Sequence, residues 1–299
     1  MITSRKIKGS VTFFALLALI CVGCQSHGYQ EQSPAAQSPQ RIVSISPNVT
    51  EILYGVGAWP QVVGISQYCS YPDDVKNKPR VAGWDNTNLE QLTALKPDLV
   101  IGVDAQAPFL QDRLNGLGVR SLFVKNESLS DVYVSIEEIG KVTGHDQQAA
   151  QLLLKTAAEI EAVRKATANR QRLKILCIVD RVPGTIRELY TATRGSYLDE
   201  LITIAGGESV APPAEHGWGK ITKEAAVSLN PEVIIDLIQG SKGEDPISVW
   251  RELSVVRAVR NNRIYSITDP LVIHPSQFVG HTAQVFAQAI HPEAFTNGP

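Results

Sequence analysis

The chain is short of cysteine and has almost no net charge, and both shortages exclude whole classes of protein. Only 4 of its 299 residues are cysteine, and their spacing forms no metal-binding cluster. The formal net charge is −2 with 19% of residues charged, so the composition gives no basic face for a nucleic-acid partner. The sequence also has no phosphate-binding loop, no Gly-x-Gly-x-x-Gly turn after a strand and no Gly-x-Ser-x-Gly elbow. Together these absences argue against nucleic-acid binding and against an enzyme.

One long apolar run is present, and it lies close to the start of the chain. Three basic residues precede it, the run covers positions 11–22, and Gly23-Cys24 follows at once. The run is too short to span a bilayer comfortably, so residues 1–24 are predicted to be an export signal. The Gly-Cys pair resembles the cleavage site of bacterial lipoprotein signals, in which the cysteine becomes the lipidated first residue. Ordinary signal cleavage or an uncleaved anchor is the alternative, since Cys21 stands where leucine is usual in such signals.

The segment after the signal indicates where the protein acts. Residues 25–40 are rich in Gln, Ser, Pro and Ala, a composition typical of a disordered tether. We therefore expect an exported protein on the periplasmic or extracytoplasmic side, anchored to a membrane by lipid at Cys24. Its remaining cysteines, Cys69 and Cys177, fall in different halves of the chain, and we expect them to remain separate.

Strand-like and helical patterns alternate along residues 41–144, and the same order restarts in residues 172–299. Short β-rich runs separated by helical spacing are typical of parallel sheets with helices on their faces. Between these halves, in a connecting segment at 145–171, positions 146 to about 170 carry an apolar face with no glycine or proline, which predicts a single helix of about 37 Å. The sequence therefore predicts an α/β protein: two parallel-sheet, Rossmann-like lobes joined by one long connecting helix. Because such a connector limits lobe movement, we expect the cleft between the lobes to be largely preformed.

One stretch of sequence occurs twice. GWDNTNLEQLTALKPDLVI at 83–101 aligns without a gap with GWGKITKEAAVSLNPEVII at 217–235. Glu90 and Glu224 occupy matching positions just after N-cap residues, where a carboxylate favours the helix dipole. Because these acids recur on two lobes, they are also suited to docking on a partner with two-fold symmetry.

Two tryptophans recur with this repeat, and two further glutamates correspond more loosely. Trp84 and Trp218 each lie beside a glycine in a predicted loop, ahead of the helix that carries the repeated glutamate. Loops at the ends of parallel strands are where open α/β sheets bind ligands. The interpretation we favour for both indoles is ligand contact, with burial in the core as the alternative. Glu51 corresponds in kind to Glu200, each inside a helix that ends in glycine.

These segments, with RIVSISPNVTEILYGVGA at 41–58 and GSYLDELITIAGGESV at 195–210, resemble the periplasmic solute-binding proteins that deliver cobalamin, ferric siderophores or haem to ABC importers. The resemblance covers the chain from Arg41 to about Ile290. It implies two α/β lobes bridged by one long helix, in a monomeric binding protein. It also implies that Glu90 and Glu224 engage arginine pockets of a dimeric permease, which works with ATPase subunits.

Within that family, SQYCSYP at 66–72 together with GWDNTNLE most resembles the cobalamin-binding branch, in which a tyrosine and tryptophans line the cleft. The resemblance implies that a corrinoid is captured between the lobes as the transported ligand, with no resident cofactor or metal. The residues considered as ligand contacts are Tyr68, Trp84, Trp218, Asp269, Tyr190, His216 and His274. Tyr190 matches the family only approximately, and the two histidines are loop residues considered for contact with the ligand or its metal. Aromatic rings give a flat macrocycle broad apolar contact, and a neutral, amide-rich ligand needs no cluster of arginines.

Other ligands and functions stay open at this point. Ferric siderophores, which are often anionic, favour a basic cleft. Four basic residues lie in or near second-lobe loops: Arg181, Arg187, Arg194 and Lys220. Haem would take a tyrosine or histidine ligand. A stand-alone corrinoid-capture or sensory protein and a hydrolase are further alternatives, although the placement of the repeated glutamates on separate lobes argues against a catalytic carboxylate pair.

Overall fold

The computed structural model describes residues 38–213, 217–237 and 247–295. The predicted signal, with Cys24, and most of the predicted tether lie outside the described residues. Within those ranges, no helix is both long and apolar enough to cross a membrane.

The first lobe is built on a five-stranded sheet whose strands are all paired in parallel. Its strands are β1 (Ile42–Ser44), β2 (Val62–Ser66), β3 (Arg80–Ala82), β4 (Leu99–Val103) and β5 (Arg120–Val124). Its helices are α1 (Pro47–Gly55), α2 (Leu89–Ala94), α3 (Ala107–Gly116) and α4 (Leu129–Thr143). The strand order β3-β2-β1-β4-β5 changes direction beside β1, which favours a ligand crevice at the carboxyl ends of β1 and β4. Every residue of β4 is buried, as expected of a central strand covered on both faces.

The predicted connecting helix is present as α5 (Asp146–Thr167), which has 22 residues and a length of about 33 Å. It follows α4 after Gly144, whose left-handed φ of 77° lets the chain change direction. At its far end, Thr167 Oγ1 donates to the Ile204 carbonyl oxygen of the second lobe at 2.8 Å. The helix ends before the predicted boundary at 171, because Arg170 N donates to the Thr167 carbonyl in a tighter closing turn.

The second lobe has a six-stranded sheet that is parallel on one side and antiparallel on the other. Its strands are β6 (Leu173–Asp180), β7 (Leu189–Ala192), β8 (Gly207–Ser209), β9 (Trp218–Ile221), β10 (Val233–Leu237) and β11 (Ile264–Ile267). Its helices are α6 (Tyr197–Ile204), α7 (Lys223–Leu229), α8 (Arg257–Arg260) and α9 (Val279–Ile290). β10 lies between β6 and β11 in parallel, whereas β7 is antiparallel to both β6 and β9.

The α/β class and the two lobes with a connecting helix are confirmed, and the antiparallel edge is the one difference from the predicted parallel sheets. Only residues 181–188 separate β6 from β7, fewer than the dozen or so that a parallel crossover needs. The chain instead reverses in a tight turn, in which Val182 N donates to the Arg187 carbonyl at 3.0 Å. One consequence concerns Trp218: it was predicted to lie in a loop, but it is the first residue of β9.

One hydrophobic core runs from the first lobe through the connecting helix into the second lobe. Its buried members include Ile52 of α1, Ile160 of α5, Leu201 of α6 and Phe286 of α9. The last of these helices packs along both α5 and α6. Because a single packed core includes both lobes, a large relative movement of the lobes has to break apolar contacts. That the cleft is largely preformed stays a prediction.

Cys69 and Cys177 are both free and buried, so the prediction that they remain separate is confirmed. Burial raises the pKa of the Cys69 thiol to about 11. Burial raises the pKa of the Cys177 thiol as well. Since the thiolate is the nucleophile and the metal ligand, these protonated thiols are structural rather than reactive.

Candidate functional site

A cleft between the lobes has a volume of about 780 Å³, within the usual range of about 300 to 1,000 Å³ for small-molecule sites. Its lining comes from both lobes and mostly from the carboxyl ends of strands. In the first lobe, Ser46 follows β1, Tyr68 follows β2 and Asn126 follows β5. In the second lobe, Asp180 ends β6 and Leu237 ends β10. This is the edge at which open α/β sheets bind their ligands.

Four aromatic side chains line the cleft, two from each lobe: Tyr68, Trp84, Tyr190 and Trp218. Their exposed fractions are 56%, 50%, 38% and 43% in that order, which excludes the alternative that the two tryptophans are core residues. Large aromatic side chains left half exposed around a concavity offer broad, flat contact to a ligand. The structure therefore brings together four of the residues that sequence reasoning selected as ligand contacts.

Different local structures hold the two tryptophans. Trp84 lies in the loop after β3, where Gln106 Nε2 donates to its carbonyl oxygen at 3.3 Å. The same amide donates to the Ile45 carbonyl at 3.1 Å, which ties the loop to the end of β1. Sequence analysis did not identify Gln106, because a lone glutamine belongs to no motif. Only the fold shows that its side chain is buried, with 2% exposed. Trp218 begins β9, and its indole meets the Tyr197 ring edge-on with the ring centroids 6.2 Å apart.

The described lining of the cleft carries two carboxylates and one histidine, His274. Asp180 and Asp269 are among its lining residues, and the described lining contains neither lysine nor arginine. Asp269 starts a short 3₁₀ helix: its Oδ1 accepts from Leu271 N at 3.0 Å, and its Oδ2 lies 2.8 Å from His281 Nε2. These contacts hold the carboxylate in place at the cleft. A lining of this charge disfavours anionic ligands.

The four basic residues considered for a siderophore site are absent from the described lining of the cleft. Arg181 is 8% exposed, and its Nε donates to Asp236 Oδ2 at 3.0 Å. The same carboxylate oxygen accepts from Trp250 Nε1 at 2.7 Å, and burial raises the pKa of Asp236. Lys220 pairs with Glu188 at the surface. Arg181 therefore holds the start of the loop after β6 and adds no positive charge to the cleft wall.

His274 lines the cleft with 17% of its side chain exposed, and a buried glutamate of the other lobe holds its ring. Glu51 lies in α1, where its Oε1 is 2.6 Å from His274 Nδ1. Its Oε2 accepts from Ser276 Oγ at 2.5 Å, and its main-chain oxygen accepts from Gln277 Nε2 at 2.8 Å. One first-lobe residue therefore anchors a whole turn of the second lobe. The other histidine predicted from the sequence, His216, lies outside the described residues.

The second lobe makes a corresponding contact in the opposite direction. Glu200 of α6 places Oε1 3.0 Å from Leu129 N at the start of α4. Beside it, Tyr197 N donates to the Glu127 carbonyl oxygen at 2.7 Å. Sequence comparison paired Glu51 with Glu200 in kind, but it did not show that each carboxylate reaches across the lobe junction. The sequence feature that could have indicated such a contact was a glutamate within the mainly apolar first helix of each lobe.

Glu90 and Glu224 are exposed and lie outside the described lining of the cleft. Each is in the first turn of its helix, as predicted, with Asn88 capping α2 and Thr222 capping α7 through side-chain hydrogen bonds. Hydrogen bonds from its own backbone amide and from Thr222 lower the pKa of Glu224. The structure therefore presents these two matched carboxylates to solvent, one on each lobe, apart from the ligand cleft.

Known proteins resemble this chain along most of its length. The profile of a family described as periplasmic binding protein matches residues 42–271. An uncharacterised ABC transporter substrate-binding lipoprotein of Bacillus subtilis is 27% identical, over 97% of this chain and 99% of its own length. The vitamin B12-binding protein of Yersinia pestis is 25% identical, over 76% of this chain and 80% of its own. A solved periplasmic heme-binding protein of Pseudomonas aeruginosa has the same fold, with a TM-score of 0.75 at 22% identity, covering 85% of this chain and 93% of that one.

Proposed function

The chain belongs to the periplasmic binding protein family, and on that basis we propose that it is the substrate-binding lipoprotein of an ABC importer, capturing cobalamin between its lobes and delivering it to a membrane permease. One observation carries the choice of ligand. The cleft of about 780 Å³ is lined by four aromatic side chains and by carboxylates, with no lysine or arginine in its described lining. A binding protein of this family has a transport role rather than a catalytic one.

The lining suits a large, flat ligand that carries no charged groups at its periphery. Trp84 and Trp218 offer an indole from each lobe for apolar contact with a macrocycle. Corrinoid side chains end largely in amides, which both donate and accept hydrogen bonds. Asp180 and Asp269 supply acceptors for amide N–H groups, and Asn126 supplies both a donor and an acceptor. Such a site fixes orientation through a few polar groups inside a mainly apolar cleft.

The same carboxylates argue against the anionic ligands of this transporter class. Ferric siderophores often carry net negative charge, and haem carries two propionates, so each would place like charges beside Asp180 and Asp269. Haem is nevertheless the second candidate, because His274 lies in the cleft and histidine is a common haem ligand. The relative named for binding vitamin B12 adds support for the corrinoid.

The remaining parts of the proposal concern the partners. Glu90 and Glu224, exposed at the starts of matched helices, are proposed to dock on the two subunits of a dimeric permease that works with ATPase subunits. Lipidation at Cys24 is proposed to hold a monomeric binding protein on the outer side of a membrane. A stand-alone corrinoid-capture or sensory protein would share the cleft but would have no permease to meet the two glutamates.

Equilibrium dialysis against three ligands tests the choice of cargo. Purified protein is dialysed separately against cyanocobalamin, haemin and an anionic ferric siderophore at matched ionic strength. We expect saturable retention of cyanocobalamin and retention of the two anionic ligands at least about 100-fold weaker, since like-charge contacts cost several kcal/mol. Preferential retention of haemin or of the siderophore would overturn the corrinoid assignment while leaving the family and the fold intact.

A further inference from the structure

A histidine with one ring nitrogen tied to a buried carboxylate faces the ligand cleft. Glu51 is 1% exposed, and both of its carboxylate oxygens are engaged, Oε2 by Ser276 Oγ at 2.5 Å and Oε1 by His274 Nδ1 at 2.6 Å. An ionised carboxylate has no proton to donate, so Glu51 acts as acceptor on both oxygens. In the neutral ring the Nδ1 atom of His274 therefore carries the proton, and the lone pair is on Nε2.

The Nε2 atom of His274 has no hydrogen-bond partner among the residues that the structure describes, and its ring lines the cleft. Neighbouring histidines differ in this respect. His281 uses Nε2 against Asp269 Oδ2 at 2.8 Å, and His291 directs Nε2 at the Gly206 carbonyl at 3.2 Å. His274 is thus oriented by the opposite lobe so that, in the neutral ring, the Nε2 lone pair is left for a ligand in the cleft.

This arrangement is the one that metal-binding histidines use. A ligating imidazole almost always donates its other N–H to a carboxylate or carbonyl, which sets the tautomer and raises the basicity of the ligating nitrogen. Among the described residues, however, no group of three or more His, Cys, Asp or Glu side chains could hold a metal ion by itself. A metal that His274 meets must therefore arrive inside the ligand, already held by other donors.

We infer that His274 Nε2 is an axial ligand to the metal at the centre of the bound macrocycle, with Glu51 as its positioning residue. The inference rests on the proposed function, because a cobalt corrin brings a metal with an axial position, and an iron porphyrin shares that chemistry. The coordinate bond forms from the Nε2 lone pair, and the water molecule that held the axial position leaves with its own electron pair. The oxidation state of the metal does not change, and the ring proton stays on Nδ1 against Glu51.

A comparison of two corrinoids distinguishes axial ligation by His274 from binding without a bond to the metal. Aquocobalamin carries an exchangeable water at cobalt, whereas cyanide blocks that position in cyanocobalamin. We expect the purified protein to bind both, and to change the visible absorption spectrum of aquocobalamin alone in the manner of a water-to-imidazole exchange. His274→Ala is expected to abolish the spectral change and to weaken aquocobalamin binding by about tenfold or more, while cyanocobalamin affinity changes by less than about threefold.

Two further variants control for indirect effects. Glu51→Gln keeps the size of the side chain and an acceptor for Nδ1, so the fold is retained while the ring is less strongly polarised; we expect about tenfold weaker aquocobalamin binding with a reduced spectral change. His145→Ala removes a partly buried histidine at the start of α5 that does not line the cleft. We expect this control to match the wild type in both affinity and spectrum.

The outcomes distinguish the two proposals. Binding of both corrinoids with an unchanged aquocobalamin spectrum, or an equal spectral change in His274→Ala, overturns axial ligation but preserves cobalamin capture. A His274-dependent change in the haemin spectrum with no corrinoid binding supports the axial ligand and overturns the choice of cobalamin. Failure of all three macrocycles to bind overturns both.

Discussion

The first lobe has five strands in parallel, whereas the second has six, with two of its pairings antiparallel. The two lobes nevertheless present the same set of outward contacts. Trp84 reaches the cleft from a loop and Trp218 reaches it from a strand, and both are about half exposed. The comparison shows that an exposed tryptophan at the cleft and an exposed glutamate at a helix start are kept in both lobes although their sheets differ. The sheets differ on the side of β7 and β9, which is antiparallel in the second lobe.

The largest expected effect comes from the exposed pair of glutamates. If the two lobes dock symmetrically on a permease, replacing both Glu90 and Glu224 with alanine should reduce transport to background while leaving ligand affinity unchanged, since neither lines the described cleft. Uptake of labelled cobalamin and equilibrium dialysis measure the two quantities separately.

A double variant of Glu138 and Glu208 to alanine is the matched control, because these glutamates are exposed, one on each lobe, and lie outside the repeated segments. The single variants Glu90→Ala and Glu224→Ala test whether the two lobes contribute equally, since equal losses of transport indicate equivalent lobes. Unchanged transport in the double variant of Glu90 and Glu224 would return both residues to a role in helix stability alone.

The next effect in size concerns the cleft tryptophans. Trp84→Ala and Trp218→Ala are each expected to weaken cobalamin binding by about 30-fold, or about 2 kcal/mol, the cost typical of losing a large aromatic anchor. Trp59→Ala is the control, since Trp59 is partly buried in the first lobe and lies outside the cleft lining. If only one cleft variant loses affinity, the ligand is held by one lobe rather than shared.

The glutamates that cross the lobe junction should differ in their effect on stability. Glu51→Ala leaves the donors of Ser276 and His274 without their acceptor in a buried site. We therefore expect the free energy of unfolding to fall by about 3 kcal/mol. Glu200→Ala removes one hydrogen bond to Leu129 N, and we expect a loss of about 1 kcal/mol. Denaturant midpoints and slopes measure both, and equal losses would contradict the deeper anchoring assigned to Glu51.

The smallest expected signal is the reaction of the two cysteines with a thiol reagent. Because burial raises the pKa of both thiols, the thiolate is scarce at neutral pH, and we expect negligible labelling of Cys69 and Cys177 in the folded protein. Both should react fully after unfolding, with mass spectrometry assigning the label to each peptide. Rapid labelling of one cysteine in the native state would show that its lobe opens locally far more than the other.

Much of the fold was predictable because it depends on local patterns. Apolar periodicity indicated the connecting helix, and the repeated segments indicated two lobes with a tryptophan and a glutamate on each. The direction of β7 was missed because strand periodicity does not reveal direction; the short link at 181–188 was the available signal. The partnership of Glu51 with His274 joins residues 223 positions apart, and no local pattern specifies such a contact. Gln106 likewise became visible only once β1, β4 and the Trp84 loop were placed together.

We propose that one cobalamin is held between the lobes by an aromatic side chain from each, and calorimetric titration of the purified protein with cyanocobalamin is the decisive experiment. We predict saturable binding of one cobalamin per chain, with affinity reduced in Trp84→Ala and in Trp218→Ala and unchanged in Trp59→Ala. Absence of binding heat, two equivalent sites per chain, or wild-type affinity in both cleft variants would show that one cobalamin is not held between these aromatic side chains.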